Sequence, residues 1–194
     1  MDFSFDNDIV LEDERVRLEP LTLKHKDQLL EFALQHPNLL EFSPSQIDSE
    51  SSMVKYIETA LQTKDRLAFV IFDKKHQEYA GSTSYGYISN EHKKLQIGWT
   101  WINPKFQRSG LNRHCKFLML QYAFETLQFN RVEFITDSRN EKSRLAIQKI
   151  GATFEGCLRS HIIMSDGFLR DSVYYSILKE EWPPIKSTIF SKMR

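Results

Sequence analysis

The alternation of apolar and polar residues predicts a run of strands in the first half of the chain. Four segments have the two-residue period or the short apolar run of strands: 16–21, 67–72, 79–88 and 95–101. Polar turns separate the last three, which indicates an antiparallel meander. Between the first and second strands, two segments have apolar residues at helical spacing. Thr22 is placed as the N-cap of the first helix, which we expect to end before Pro37.

The second half alternates between helices and strands. A helix is expected to begin near Gly110, and its apolar residues fall on two sides, which predicts that it is covered on both. A strand at 131–136 follows, then a helix at 140–150 with Asn140 as N-cap and Gly151 in the left-handed conformation after its end. Two more strands, 153–164 and 171–178, flank a turn, and the tail from Trp182 is interpreted as a surface segment.

The predicted order is therefore β-α-α-β-β-β-α-β-α-β-β, an α+β fold with a mixed sheet. The chain has 194 residues, with 26 basic and 26 acidic side chains. This length favours one domain, and zero net charge argues against nucleic acid or an anionic membrane as the main partner. The acidic first ten residues have no apolar run, so they do not resemble a signal peptide. No apolar stretch is long enough to span a membrane. We therefore expect a cytoplasmic protein.

The residues from Gln107 to Asn112 are the most informative ones for chemistry. They follow a strand and open the predicted central helix. The first N–H groups of a helix have no partner within it, and Gly110 lets a ligand approach the backbone closely. A phosphate or diphosphate fits such a turn, although the same pattern also suits an ordinary helix start. The segment is neither a P-loop nor a dinucleotide fingerprint, because it has one glycine and no Gly-Lys-Ser/Thr ending.

Two motifs in this chain resemble those of the GCN5-related N-acetyltransferase superfamily. The first is Gln107-x-x-Gly110-x-Asn112, in which Asn112 replaces the small residue usual at the last position. The second combines Asn140, Ser143 and Gly151. The resemblance covers about residues 16–178 and is strongest to the branch with ribosomal-protein alanine N-acetyltransferases. It implies one acetyltransferase domain over residues 1–194, with a C-terminal tail at 179–194, on a strongly twisted sheet flanked by helices.

The resemblance also implies acetyl-CoA as co-substrate and no metal. Acetyl-CoA would lie in a gap between the strand that ends near Ile102 and the strand at 131–136. Backbone amides at 108–112 would hold its diphosphate, and its pantetheine arm would pair with the strand edge. The residues placed on acetyl-CoA are Trp101, Ile102, Gln107, Arg108, Ser109, Gly110, Leu111, Asn112, Asn140 and Ser143.

The reaction that the resemblance implies is direct attack of a neutral amine on the thioester. It needs a base for the amine and an acid for the departing thiolate. Many family members use a Glu and a Tyr, but the matching positions here are Gln96 and Ile147. Ser143 is then the catalytic candidate for contact with the CoA sulfur, and the alternative interpretation is a surface or capping serine. The base candidates are Glu133, Asp137 and His161.

The expected acceptor is a primary amine on a protein N-terminus or a small molecule, and the expected assembly is a monomer or a homodimer. An α-amine has a lower pKa than a lysine, so a site without the usual Glu favours it. The alternative function is a non-catalytic acyl-CoA-binding or sensing module, since both common acid–base positions are empty. A phosphate-binding module without CoA is a third possibility.

Three groups of side chains have both a chemical and a structural interpretation. Cys115 falls on the apolar stripe of the central helix and is therefore interpreted as a core residue rather than a nucleophile. Four aromatic residues could line a substrate groove or fill the core: Tyr85, Tyr87, Trp99 and Trp101. Four basic residues could face the 3′-phosphate of CoA or remain solvated: Lys93, Lys94, Lys105 and Arg108.

Overall fold

The computed structural model describes Phe3 and residues 9–193. Its strands are β1 (Leu11–Glu12), β2 (Val16–Pro20), β3 (Leu67–Asp73), β4 (Glu78–Ser89), β5 (Lys94–Ile102), β6 (Arg131–Asp137), β7 (Thr153–Ile163) and β8 (Leu169–Leu178). Its α-helices are α1 (Lys26–Gln35), α2 (Glu50–Gln62), α3 (Leu111–Gln121), α4 (Glu141–Lys149) and α5 (Trp182–Thr188). The predicted mixed sheet with flanking helices is confirmed. Most of the first ten residues lie outside the described part, so the interpretation of that segment stays a prediction.

All eight strands form one sheet in the order β1-β2-β3-β4-β5-β6-β8-β7. Neighbours are antiparallel except β5 and β6, which run parallel. That parallel pairing covers three residue pairs and ends at Gln96 and Glu133. Beyond this point β5 pairs with β4 alone and β6 with β8 alone. The sheet is therefore split by a gap that opens toward the C-terminal ends of both strands.

The two faces of the sheet carry separate apolar clusters. On one face, α3 covers the larger cluster, to which β5 contributes Leu95 and Ile97. On the other face, α1 and α2 cover a smaller cluster that takes up Trp101. Strand residues alternate between faces, so a regular two-residue period would place Leu95, Ile97 and Trp101 on one face. Trp101 lies on the opposite face because the β4–β5 register shifts between Gly98 and Trp101. The predicted coverage of α3 on two sides is also confirmed, since Cys115, Phe117, Leu118, Met119 and Leu120 are all buried.

A β-bulge in β5 changes the direction of the strand beside the gap. The register between β4 and β5 shifts between Ser82 and Ser84, and Trp99 has φ +50°. Gly86 lies under the Trp99 ring, where a Cβ would overlap it. A bulge leaves residues without a cross-strand partner and turns their side chains to new positions. Here it leaves Thr100 exposed at the gap.

The C-terminal tail is not a surface segment, and that prediction is wrong. Trp182 begins α5 and is buried, and its ring stacks on Phe124 at a centroid distance of 5.8 Å. Phe190 follows the helix and is also buried. The prolines after Trp182 occupy the first helical turn, where proline is well tolerated, rather than breaking the chain. The sequence also gave no signal for the two-residue strand β1. No helix in the described part of the chain is long and apolar enough to cross a bilayer.

Candidate functional site

The turn that opens α3 presents its backbone to solvent. Arg108 and Gly110 have φ values of +60° and +90°. The side chain of Phe106, just before the turn, is buried. The Ser109 hydroxyl donates a 2.6 Å hydrogen bond to the Phe106 carbonyl. A Cβ at Gly110 would have no atom within 4 Å, so the space in front of the turn is open. The sequence prediction of an accessible turn at Gly110 is confirmed.

Four N–H groups of this turn are available to a ligand. In the described part of the chain, the N–H groups of Arg108, Ser109, Gly110 and Asn112 have no acceptor. The N–H of Leu111 donates to Ser109 Oγ at 3.4 Å. Free donors at the positive end of a helix attract an anion, because the helix dipole adds to their partial charges. The side chains of Leu111 and Asn112 point elsewhere: Leu111 is in the core, and the buried Asn112 Oδ1 has no partner.

The C-terminal end of β5, which borders the open end of the gap, leads into this turn. The side chain of Trp101 is buried and donates to the Tyr56 hydroxyl at 2.9 Å, so only its backbone is at the strand edge. The Gln107 amide donates to the Ile102 carbonyl at 2.9 Å and thereby ties the turn to the end of β5. This contact gives Gln107 a structural role that the sequence did not predict.

The start of α4 borders the other side of the gap. Asn140 caps the helix through a 3.0 Å hydrogen bond from the Ser143 N–H to its Oδ1, which confirms its predicted position. Ser143 is half-buried, and its hydroxyl has no partner among the residues described. Ile147 belongs to the core and has no proton to donate. Gly151 has φ +91°, as expected after the helix end.

Two polar side chains meet where the gap begins. Gln96 pairs with Gly86 on one side and with Glu133 on the other, so both polar side chains lie on the sheet face that α1 and α2 cover. Gln96 Oε1 is buried and has no partner. Glu133 accepts from Arg131 Nε at 2.8 Å and lies 3.4 Å from Lys94 Nζ. Of the base candidates, Glu133 is the one that the fold brings next to Gln96.

The other two base candidates are in different surroundings. Asp137 is fully buried and holds Arg139 through contacts of 2.7 and 3.0 Å. Burial acts against its charge, but the Arg139 hydrogen bonds outweigh it, so the pKa of Asp137 is lowered. This ion pair stabilises the turn before α4 and leaves Asp137 poorly suited as a base. His161 is exposed on β7, and its ring lies 5.9 Å from that of Tyr174.

Two aromatic side chains lie beside the gap, on the sheet face that α1 and α2 cover. Tyr87 is 58% exposed, and its ring lies 5.8 Å from the half-buried ring of Trp99. The guanidinium of buried Arg66 sits 4.5 Å from the Trp99 ring centroid, a cation–π contact. Tyr85 is buried and donates to the Met119 carbonyl. Tyr87 and Trp99 are therefore accessible to solvent beside the gap, whereas Tyr85 and Trp101 belong to the core.

The structure contains a buried lysine that the sequence analysis did not single out. Lys116 lies on α3, is 6% exposed, and donates to Thr100 Oγ1 at 2.7 Å. Burial lowers its pKa to about 8. One sequence signal was present, a single charge within the apolar run of α3. The adjacent Cys115 is buried, and burial raises the pKa of its thiol to about 12, as expected for a core cysteine rather than a nucleophile.

Other charged groups near the site are divided between ion pairs and solvent. Lys105 pairs with Glu78 at 2.7 Å, and Arg108 is exposed at the turn. On the far side of α3, the carboxylates of Asp13 and Glu14 and the His114 ring have polar atoms within 4.8 Å of one another. His114 Nδ1 is 2.7 Å from Asp13 Oδ2, and 101 positions separate the two residues along the chain. No local pattern in the sequence indicates this cluster.

Comparisons of the sequence and of the structure with known proteins both match this chain to acetyltransferases. The profile of the acetyltransferase (GNAT) domain matches residues 15–153. The chain is 29% identical over 177 residues to the Bacillus subtilis (strain 168) protein named "Putative ribosomal N-acetyltransferase YdaF", covering 87% of this chain and 94% of that protein. A GCN5-related N-acetyltransferase from Brucella melitensis is 27% identical with a TM-score of 0.89, over 95% of this chain and 85% of that one. The microcin C7 self-immunity acetyltransferase MccE, solved with acetyl-CoA and AMP, has the same fold, with a TM-score of 0.75 at 24% identity over 86% and 93% of the two chains.

Proposed function

Because the chain belongs to the acetyltransferase (GNAT) family, we propose that it transfers an acetyl group from acetyl-CoA to a primary amine. The observation that carries this proposal is the open turn at 108–112, whose free N–H groups lie at one end of the gap. Those donors suit the diphosphate of CoA, and the unpaired edge of β5 suits its amide-containing arm. The MccE structure, which holds acetyl-CoA on this fold, supports the same ligand.

In this proposal, the side chains at the start of the gap handle the amine. Gln96 Oε1 accepts a hydrogen bond from the incoming amine, because it is buried without another partner. Glu133 takes the proton through a water molecule, and backbone N–H groups on the free edge of β5 stabilise the oxyanion. Ser143 remains the candidate for contact with the CoA sulfur, since its hydroxyl has no hydrogen-bond partner among the described residues.

We place the acceptor on the face with Tyr87 and Trp99, and propose an α-amine. An α-amine has a pKa near 8 and a lysine near 10.4, so about a hundredfold more of the α-amine is neutral at pH 7. A site that has Gln96 in place of a carboxylate gains more from such an acceptor. The name of the Bacillus subtilis relative, a ribosomal N-acetyltransferase, is consistent with a protein N-terminus.

The test measures acetyl-CoA binding by calorimetry and CoA release with a panel of amines. The panel contains a lysine-free peptide with a free N-terminus, an N-acetylated peptide with one lysine, and spermidine. We expect binding, and turnover that is fastest with the free N-terminus. Binding with no turnover on any amine would favour the acyl-CoA-binding module, and absence of binding would refute both. Faster turnover of the lysine peptide would refute the α-amine preference.

A further inference from the structure

We propose that Lys116 is a positioning residue that supplies a proton, through the Thr100 hydroxyl, to the sulfur of the departing CoA. This inference rests on the proposed function and identifies an acid for a site that has Ile147 where many relatives have a tyrosine. It is carried by a hydrogen-bonded chain that runs from the interior of the protein to the gap.

The inner end of this hydrogen-bonded chain is the ammonium group of Lys116, which has no counter-ion among the described residues. Lys116 Nζ donates to Thr100 Oγ1 at 2.7 Å and to Thr83 Oγ1 at 3.4 Å. Within the described residues, no carboxylate lies within ion-pair distance of it, and the other ionisable group that influences it is the neighbouring Cys115. A buried charge that is held only by hydroxyl groups is costly, so it releases a proton more easily than an exposed lysine.

The outer end of the chain is a hydroxyl at the gap. Thr100 is exposed and lies on β5 beyond Gln96, the last residue that pairs with β6. It also precedes the open turn at 108–112. A ligand with its diphosphate on that turn and its arm along the free edge of β5 therefore passes Thr100. The bulge beside Trp99 gives Thr100 this position.

The donors and acceptors are arranged so that the Thr100 proton is available. An ammonium group has three protons and no lone pair, so Lys116 can only donate to both threonine oxygens. The Thr83 hydroxyl has an acceptor in Met119 Sδ at 3.7 Å. The Thr100 hydroxyl lies 2.8 Å from Thr83 Oγ1 and 3.3 Å from the Gly98 carbonyl. A thiolate in the gap is a stronger acceptor than either of these oxygens because it is charged.

The proton balance of the step is complete. The amine nitrogen forms a bond to the acetyl carbon, and the C–S bond breaks with its electron pair moving to sulfur. The sulfur takes the Thr100 proton, Thr100 takes one from Lys116, and the amine proton leaves through Glu133 and water. Lys116 regains a proton from solvent after CoA departs. A thiol has a pKa near 8.5, and burial lowers that of Lys116 to about 8, so the transfer is close to thermoneutral.

The experiment measures the thiol pKa of bound CoA from the ultraviolet absorbance of its thiolate. Lys116→Met keeps the length of the side chain and removes its charge, and Thr100→Val removes the hydroxyl alone. Lys149→Met, at an exposed lysine of α4, is the matched control. In Lys116→Met we expect about a tenfold smaller thiolate fraction near pH 7.5, which corresponds to one pKa unit. We expect a several-fold fall in Thr100→Val and no change in the control.

A second measurement is the pH profile of kcat on an amine of the panel. With the wild type, we expect kcat to fall as the pH rises through about 8, where Lys116 loses its proton, and this limb to be absent in Lys116→Met. An unchanged thiol pKa in both variants, or an unchanged alkaline limb, would overturn the proposal. If Lys116→Met does not fold, the thiol pKa of CoA bound to Thr100→Val, compared with that of the wild type, supplies the test. If the wild type fails to bind CoA, the proposed function itself is refuted, which is a separate outcome.

Discussion

Substituting Gly110 with alanine tests the anion-binding turn against an internal control. Gly110 and Gly167 have φ values of +90° and +83°, and a Cβ at either would have no atom within 4 Å. Gly110 lies at the start of α3, whereas Gly167 lies in the turn between β7 and β8. Alanine therefore introduces the same backbone strain at both positions and no clash at either. It places a methyl group in front of the free amides only at Gly110.

The two variants should differ in ligand affinity and agree in stability. A left-handed alanine costs about 1–2 kcal/mol, which we expect both variants to lose from the free energy of unfolding. A hydrogen bond to a charged group contributes about 1.5–3 kcal/mol. If the methyl group at Gly110 displaces the diphosphate from one N–H, the Kd for acetyl-CoA rises about 10- to 100-fold. The Kd of Gly167→Ala stays at the wild-type value.

Calorimetric titration with acetyl-CoA and urea unfolding supply these quantities. Each protein is titrated in the same buffer, since the ionic strength changes the contribution of charged contacts. If Gly110→Ala binds acetyl-CoA as tightly as Gly167→Ala does, the turn does not hold the diphosphate. Equal weakening in both variants would show that the loss comes from strain rather than from the turn, and would also refute the reasoning.

Three further predictions concern groups outside the acyl-transfer step. Trp182→Ala should lower the free energy of unfolding in urea by about 3–5 kcal/mol, because the ring is buried; no loss would contradict the packing of α5. Asp137→Asn should cost about 3 kcal/mol at pH 7, since it leaves Arg139 and Arg170 without their carboxylate. The pKa of Asp137 is lowered on folding, so its stabilisation is present above about pH 4, the unfolded value, and is lost as the pH falls through the folded pKa. The difference from wild type in urea unfolding should therefore shrink in acid, and a constant difference would be the contrary result. A disulfide reagent at pH 8 should modify one thiol of the native protein, because Cys157 is exposed and the pKa of Cys115 is raised to about 12. Modification that persists in Cys157→Ser would contradict this.

Local patterns in the sequence determined most of the strands and helices and the turn at Gly110. Strand and helix periods are set by the backbone of a few consecutive residues, so strand β5 and the apolar sides of α3 could be read directly. The bulge that turns Trp101 to the face opposite Leu95 and Ile97 could not be read in this way. Caps are equally local, and Asn140 and Gly151 are found in the predicted positions. The tail was misinterpreted because Pro183 and Pro184 suit a loop and a first helical turn equally well.

Tertiary structure alone decided which of these elements form the site. Sheet order and register place Glu133 beside Gln96 and separate β5 from β6 after that pair. The same packing brings Lys116 to Thr83 and Thr100, residues 33 and 16 positions away along the chain. Such contacts depend on how strands and helices pack across the whole fold, and a local period carries no information about them. The sequence therefore determined the turn at which we propose that the diphosphate binds, while the burial and the neighbours that set the charge of Lys116 were decided by the fold.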